Sequence, residues 1–448
     1  MTIVSKLKKA AIEHCLNSNV FNRIYRVRRR SQFYKYWIAA GPRKQGNDLV
    51  FLVLNHCYDL DLEALCAADT SYTIWSLEFA HFDLIDSYFS DEVRHFRTAY
   101  NGPQMAPYIA KVREDFMRPL VDRLIRDINP DVLVTPSDLF YWFRPFIQEL
   151  RDHGIPTIVQ DKEGTISPGP LTDERKQAVK TKYPPISDQY YCWSEGHREF
   201  WLEVGVEMER SAVLGQPRSD FFFHSERWPS LADLEIPNCR KLVVIFTFDG
   251  DAYATTTELR PDYAPWRPLR GEIHDVVRSV ARDNGDCQFI LKVHPQQKDI
   301  ALIEQEANEN PVSNVRLMKG AAIGSHLIVN ADVVVGFQTT ALIEAMLLKK
   351  PIIYAGWGAA ASDLDECLIP IHRSGGCMVP QNATEFENQL RAALCGEGEP
   401  DEAMLAARKR FTQKYFADAD GSVSKRVLDT AAAYVRSERE RLSQSGVK

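Results

Sequence analysis

Short apolar runs recur along the chain, separated by longer stretches in which apolar positions return every three or four residues. The runs at 49–54, 72–76, 131–135, 157–160, 190–194 and 212–214 have the length and the β-branched or aromatic content of buried strands. Between them, 105–128, 140–153 and 196–204 carry the period of amphipathic helices. The pattern restarts with strand runs at 242–248, 289–293, 315–318, 333–336 and 352–354, and helical stretches at 268–283, 300–309, 340–349 and 383–394. Helical periodicity also fills 403–416 and 422–442. Strands that are apolar throughout and alternate with helices predict parallel sheets with crossover helices, an α/β fold.

The stretch 215–240 breaks this rhythm: it holds Pro217, Pro229 and Pro237 and little periodicity. A boundary there divides the chain into two Rossmann-like halves, 41–220 and 221–400, with a basic segment at 1–40 and helices at 401–448. A length of 448 residues agrees, being too great for one ordinary core. The apolar fraction of 45% and charged fraction of 26% are those of a globular chain.

The net charge of −7 is unevenly spread: nine basic side chains against Glu13 give residues 1–40 a charge of +8 and leave −15 elsewhere. Phe21, Tyr25, Phe33, Tyr36 and Trp37 are interleaved with this charge. The segment suits an anionic membrane surface, with a solvated helical face as the other reading. No base-reading or base-stacking motif accompanies it, so nucleic acid is not an expected partner. No run approaches the ~20 apolar residues of a membrane span, and the start has no signal-peptide core, so a cytoplasmic protein, at most peripheral on the membrane, is expected. The nine cysteines are scattered without a C-x-x-C pair, which reads as packing residues in a reducing compartment.

In parallel sheets, ligands bind beyond the carboxyl ends of strands. Four segments lie at such ends. Gln160-Asp161-Lys162-Glu163-Gly164-Thr165 offers a general acid or base in Glu163 or Asp161, or else a polar capping loop. Leu291-Lys292-Val293-His294-Pro295 delivers a cation and an imidazole able to donate to a phosphate or a leaving-group oxygen; a structural histidine is the alternative. In Gly336-Phe337-Gln338-Thr339-Thr340 a strand runs into a capped helix whose free N–H groups suit a phosphate, with Glu344 one turn on for a ribose. An ordinary crossover helix with a paired Glu344 fits the spacing equally. Phe248-Asp249-Gly250-Asp251 and Asp59-Leu60-Asp61 are D-x-D matches read as polar loops at the cleft, with Asp249 a candidate catalytic carboxylate. The phosphate-loop, dinucleotide, H-E-x-x-H and G-x-S-x-G motifs are absent, which argues against ATP, hydride, zinc-protease and serine-hydrolase chemistry.

Taken in order, QDKEGT, YYCWSEGHREFWLEVGV, AVLGQPRSD, LKVHP and ADVVVGFQTTALIEAMLLKKPII resemble the GT-B glycosyltransferases of capsule and lipopolysaccharide assembly. The likeness spans roughly 131–353 and is greatest to the Kdo transferases of capsular polysaccharide; the glycerophosphotransferases of teichoic acid synthesis share the layout. The resemblance implies two Rossmann-like domains facing a central cleft. It makes Glu163 the acceptor-side catalytic carboxylate, with Asp161 its substitute. His294 and Pro295 would meet the donor phosphate, and Gln338, Thr339 and Thr340 would hold it. Glu344 would meet the ribose, Gly215 and Arg218 would line the cleft, and Asp220 would anchor the hinge. Phe337-Gln338-Thr339 replaces the Gly-rich loop of the commoner pattern, which favours a nucleoside-monophosphate sugar such as CMP-Kdo.

Displacement at the anomeric carbon, with Lys292, His294 and the helix end stabilising the phosphate, would need neither metal nor cofactor. The expected partners are a nucleotide sugar and a glycan or glycolipid acceptor. A UDP-sugar epimerase, a glycerophosphotransferase and an inactive scaffold are the rival readings of the same pattern.

Overall fold

The computed structural model describes residues 34–444 apart from 42–48, 57, 80–84, 86–88, 90–99, 101, 251–265, 295–296, 298, 321–322 and 363–364. Residues 1–33 of the basic segment, Asp251 and Pro295 therefore lie outside the described residues.

The first domain is built on strands β1 (Tyr34–Ala40), β2 (Val50–Leu54), β3 (Thr73–Phe79), β4 (Val132–Thr135), β5 (Thr157–Gln160), β6 (Gln189–Cys192) and β7 (Ser211–Val213). They form one sheet of order β1-β3-β2-β4-β5-β6-β7, parallel except for β1. Its helices are α1 (Asp59–Ala67), α2 (Ala106–Val112), α3 (Arg118–Asp127), α4 (Arg144–Asp152), α5 (Pro170–Lys182) and α6 (Glu195–Glu203). The second domain holds β8 (Leu242–Phe246), β9 (Gln288–Lys292), β10 (Val315–Met318), β11 (Val333–Gly336) and β12 (Ile352–Tyr354), all parallel, in the order β10-β9-β8-β11-β12. Around them lie α7 (Trp266–Asp283), α8 (Ile300–Glu309), α9 (Ile323–Asn330), α10 (Thr340–Ala345), α11 (Ala359–Ser362) and α12 (Ala383–Leu394), followed by α13 (Glu402–Phe416) and α14 (Val423–Gln444).

The two halves share a local device. Asn129-Pro130-Asp131-Val132-Leu133-Val134 and Asn330-Ala331-Asp332-Val333-Val334-Val335 open β4 and β11, each beside the first parallel strand of its domain. Asp131 Oδ2 accepts from the Val50 N–H at 2.7 Å, and Asp332 Oδ2 accepts from the Leu242 N–H at 2.8 Å. Each carboxylate thus closes a strand-end donor that would otherwise lack a partner at the bottom of the sheet.

Several boundaries depart from the periodicity. Residues 34–40, grouped with the basic segment by charge, form the antiparallel edge strand β1, held by Tyr36 Oη donating to Asp127 at 2.7 Å. The helix expected over 105–128 is interrupted by a π-helical turn at Arg113–Met117. Residues 140–143 are a turn, not helix; α4 starts only at Arg144, where Pro145 in the first turn sets the backbone. The run 340–349 is helical only as far as Ala345, and β8 ends at Phe246. Asp59-Leu60-Asp61 opens α1 and is not a loop.

The C-terminal helices divide between the domains. Phe411, Tyr415 and Phe416 of α13 join the second core, whereas Val427, Leu428, Ala431 and Val435 of α14 pack with Phe51, Val53 and Tyr191 of the first. The chain therefore crosses between domains twice. Asp220, in the first crossing, accepts from the Val423 and Ser424 N–H groups at 2.8 and 2.7 Å and so caps α14 from outside. Asp220→Ala is expected to cost about 1–2 kcal/mol, read as a lower denaturant midpoint, with Asp220→Asn recovering part of it. An unchanged midpoint would remove the cap from the account of the hinge.

Candidate active site

The loop after β5 separates its two carboxylates. Asp161 is buried; its Oδ1 accepts from the Glu163 N–H at 3.1 Å, and its Oδ2 lies 3.5 Å from His197 Nε2. That local bond turns the chain and leaves Glu163 exposed, its carboxylate 3.9 Å from Lys162 Nζ. Gly164 lets the loop lie against α6: a Cβ there would sit 2.4 Å from the Trp193 ring and 2.6 Å from His197 Nδ1.

Two strand ends of the second domain are held by one buried network. Arg270, inside α7, donates to the Phe248 carbonyl at 3.1 Å and pairs with Asp299. Gln297 Nε2 donates to the same carbonyl at 2.9 Å and to Asp299 at 3.0 Å, while Gln297 Oε1 accepts from the His294 N–H at 3.3 Å. Burial opposes ionisation of Asp299, but hydrogen bonds from Arg270 and Gln297 outweigh it and hold its pKa below the ordinary carboxylate value. Asp249 and His294 are therefore positioned together by groups that sequence reading did not single out.

Lys292 ends β9 with Nζ donating to the Val293 carbonyl at 2.7 Å; burial lowers its pKa to about 8. The His294 pKa is lowered by loss of solvation and by Lys292, while Glu163 and Asp249 pull it upward. Glu163 of the first domain and Asp249 of the second thus both lie near enough to His294 to act on its charge.

Arg218, from the first crossing, joins the domains. Its Nε donates to Glu344 Oε1 at 3.0 Å, its Nη1 to Asp61 Oδ2 at 3.3 Å and to the Lys162 carbonyl at 3.2 Å. Its backbone N–H donates to Asp61 Oδ1 at 3.2 Å, and its guanidinium lies 4.9 Å from the Trp193 ring centroid. The Gln216 carboxamide, with its oxygen toward the guanidinium, accepts from Nε and Nη2 at 2.9 Å. Burial raises the Asp61 pKa to about 6 although Arg218 pulls it down. Burial likewise works against the Arg218 charge, but Asp61 and Glu344 overcome it and raise its pKa above the usual guanidinium value. Gly215, at φ +100°, brings the chain to within 3.0 Å of the Phe416 carbonyl, measured from a built Cβ, which excludes a side chain.

Glu344, expected at a ribose, is thus committed to Arg218 in this structure. Gln338 also has a structural role. At φ +44° its Nε2 donates to Tyr354 Oη at 2.8 Å and to the Ile369 carbonyl at 3.0 Å, and its Oε1 accepts from the Ile369 N–H at 3.0 Å. Thr339 caps α10 by accepting from Ala341 N–H at 3.3 Å, and half-buried Thr340 is the first helical residue. His56, at the end of β2, is a further cleft residue; burial and then the Lys162 charge lower its pKa to about 4. Among the described residues, no group of three or more His, Cys, Asp or Glu side chains is arranged to hold a metal. Among them, too, no helix is long and apolar enough to cross a membrane.

No family profile matches the chain. Protein FixF of Sinorhizobium fredii is 33% identical over 94 residues, 21% of this chain; the chain spans only 22% of that relative's length. Over most of its length the fold is similar to a Listeria monocytogenes structure assigned as a UDP-N-acetylglucosamine 2-epimerase. The TM-score is 0.54 at 10% identity, covering 87% of this chain and 97% of that one. A UDP-bound structure of MnaA from S. aureus gives a TM-score of 0.50 at 10% identity, again over 87% of this chain and 97% of that one. The fold is the GT-B arrangement of two Rossmann-like domains facing a central cleft.

Proposed function

We propose that this chain is a metal-independent glycosyltransferase that moves a sugar from a nucleotide donor, with CMP-Kdo favoured, to a surface-polysaccharide acceptor. What supports the reading is that Glu163 of the first domain and Asp249 of the second both act on the charge of His294. Glu163 takes the proton of the acceptor hydroxyl as its oxygen bonds to the anomeric carbon. The bond from that carbon to the donor phosphate oxygen breaks, and its electron pair leaves with the phosphate. His294 donates a hydrogen bond to the departing oxygen, and the Lys292 ammonium supplies positive potential behind it. Asp249 stands as the second carboxylate and could stabilise positive charge at the anomeric centre. The donor phosphate lies at the start of α10, against Thr339 and Thr340.

The fold likeness to proteins named as UDP-N-acetylglucosamine 2-epimerases supports a second reading, a UDP-sugar epimerase. A thermal-shift series with CMP, CDP, UDP and GDP, with and without magnesium, separates the two. A ligand that binds only the folded form stabilises it by about 2.7 kcal/mol at a hundred times its Kd. Stabilisation by CMP without magnesium is the expected result. A response to UDP alone would transfer the assignment to UDP-sugar chemistry, and no response to any nucleotide would overturn it.

A further inference from the structure

The turn after β4 presents two aromatic side chains that the donor chemistry leaves without a task. Along Leu139-Phe140-Tyr141-Trp142-Phe143, burial alternates: residues 139, 141 and 143 point into the core, while Phe140 and Trp142 are only half-buried. The Phe140 and Trp142 rings are stacked, with centroids 4.9 Å apart and planes at 20°. Leu139, Tyr141 and Phe143 fix the turn from below. The His56 ring meets the pair edge-on, 5.9 Å from Phe140 and 5.8 Å from Trp142. The Lys162 ammonium lies 5.4 Å from the Phe140 ring centroid and 3.9 Å from the Glu163 carboxylate.

These groups come from the carboxyl ends of β2, β4 and β5, which are consecutive in the sheet. A half-buried stacked aromatic pair, an imidazole and an ammonium therefore line one ledge that ends at Glu163. The electron-rich face of an aromatic ring attracts the weakly positive C–H bonds along one face of a sugar, and covering the rings removes apolar area from water. The imidazole and ammonium supply hydrogen bonds for hydroxyl groups at the sugar's edge. His56 is suited to this because its lowered pKa keeps it neutral, with one donating and one accepting nitrogen.

We propose that the aromatic surface left exposed by the stacked Phe140–Trp142 pair is the platform for a pyranose ring of the acceptor, with His56 and Lys162 at its edge and Glu163 at its reactive end. The proposal rests on the transferase reading and adds to it the place and chemistry of acceptor binding. It assigns the platform to a sugar, not a nucleobase, because the platform lies on the Glu163 side of the cleft, whereas the donor phosphate is assigned to the second domain.

The test is saturation-transfer NMR on the full chain with methyl β-D-glucopyranoside, methyl β-D-galactopyranoside and methyl α-L-rhamnopyranoside, each with CMP and with UDP. The wild type is expected to pass saturation to ring protons of at least one glycoside. Trp142→Ala should weaken glycoside binding roughly tenfold, while Trp142→Phe keeps most of it. Nucleotide signals should remain in both variants and report an intact second domain. If Trp142→Ala loses the nucleotide signal, Phe140→Leu is read in its place. Equal glycoside binding by wild type and the alanine variant overturns the platform, as does no saturation of any glycoside in the wild type. A wild type that binds glycosides at Trp142 but no nucleotide upholds the platform and overturns the transferase.

Discussion

Arg218→Met is expected to destabilise the protein by about 3–5 kcal/mol near pH 8, the largest loss from any single cleft substitution. The side chain stands between Asp61, 1% exposed, and Glu344, 6% exposed, one from each domain. Methionine keeps much of the apolar stem but leaves two buried carboxylates without their cation. The pH dependence separates this cause from lost packing. Asp61 holds its proton to about pH 6 in the folded protein against an ordinary 3.8. Between those values the folded form binds more protons than the unfolded form, so this group's contribution to stability falls as pH rises. The gap corresponds to roughly 3 kcal/mol above pH 6.

Removing Arg218 removes the attraction that lowers the Asp61 pKa, so the unfavourable window extends to higher pH. The variant's deficit should therefore be smaller at pH 5 than at pH 8, and Asp61→Asn should recover part of it at pH 8. Urea titrations at both pH values measure this. Equal deficits with no recovery by Asp61→Asn would mean that the triad is not held together by charge.

The legible parts of the site are those whose role follows from position on a strand. Glu163 and His294 are legible because each follows a short apolar run, the second of which contains Lys292, and parallel sheets open their ligand sites there. Arg270, Gln297 and Asp299 gave no such signal. Arg270 is one more charged position in an amphipathic helix, and only the folded chain reveals that it reaches the Phe248 carbonyl from the buried side.

Asp61 is legible only in part. The D-x-D pair reads as a polar loop at the cleft, yet Asp61 lies in α1, turned inward toward a guanidinium 157 residues away. The aromatic residues 140–143 carried apolar spacing that a helix would share, but burial of alternate rings holds them as a turn. The N-x-D-V-x-V echo at Asn129 and Asn330 was present in the letters throughout. Its meaning depends on which strand lies beside each aspartate, which is a fact of topology. Glu344 and Gln338 show the converse: their spacing from a strand end fits nucleotide contacts, while their observed partners, Arg218, Tyr354 and Ile369, are internal.

His294→Ala is the second large effect, on turnover and not on folding. An imidazole that donates to the departing phosphate oxygen is worth roughly 10²–10⁴ in rate, and that loss is expected in release of nucleoside monophosphate from the donor. The side chain is exposed and its backbone N–H bond to Gln297 survives the substitution, so the melting temperature should barely move. The same residue sets a pH dependence of donor binding. In the free protein its pKa lies below the ordinary 6.5, through loss of solvation and the Lys292 charge, so it is mostly neutral at pH 7. A bound phosphate favours the imidazolium and raises that pKa. Binding then takes up a proton, and affinity for CMP should rise as pH falls from 8 until the free imidazole is itself protonated, and level off below that. Calorimetry in buffers of different ionisation enthalpy reads the proton count directly, and His294→Ala should abolish the uptake. If the alanine variant takes up protons as the wild type does, His294 does not meet the phosphate, and the chemistry assigned to it passes to another group in the cleft.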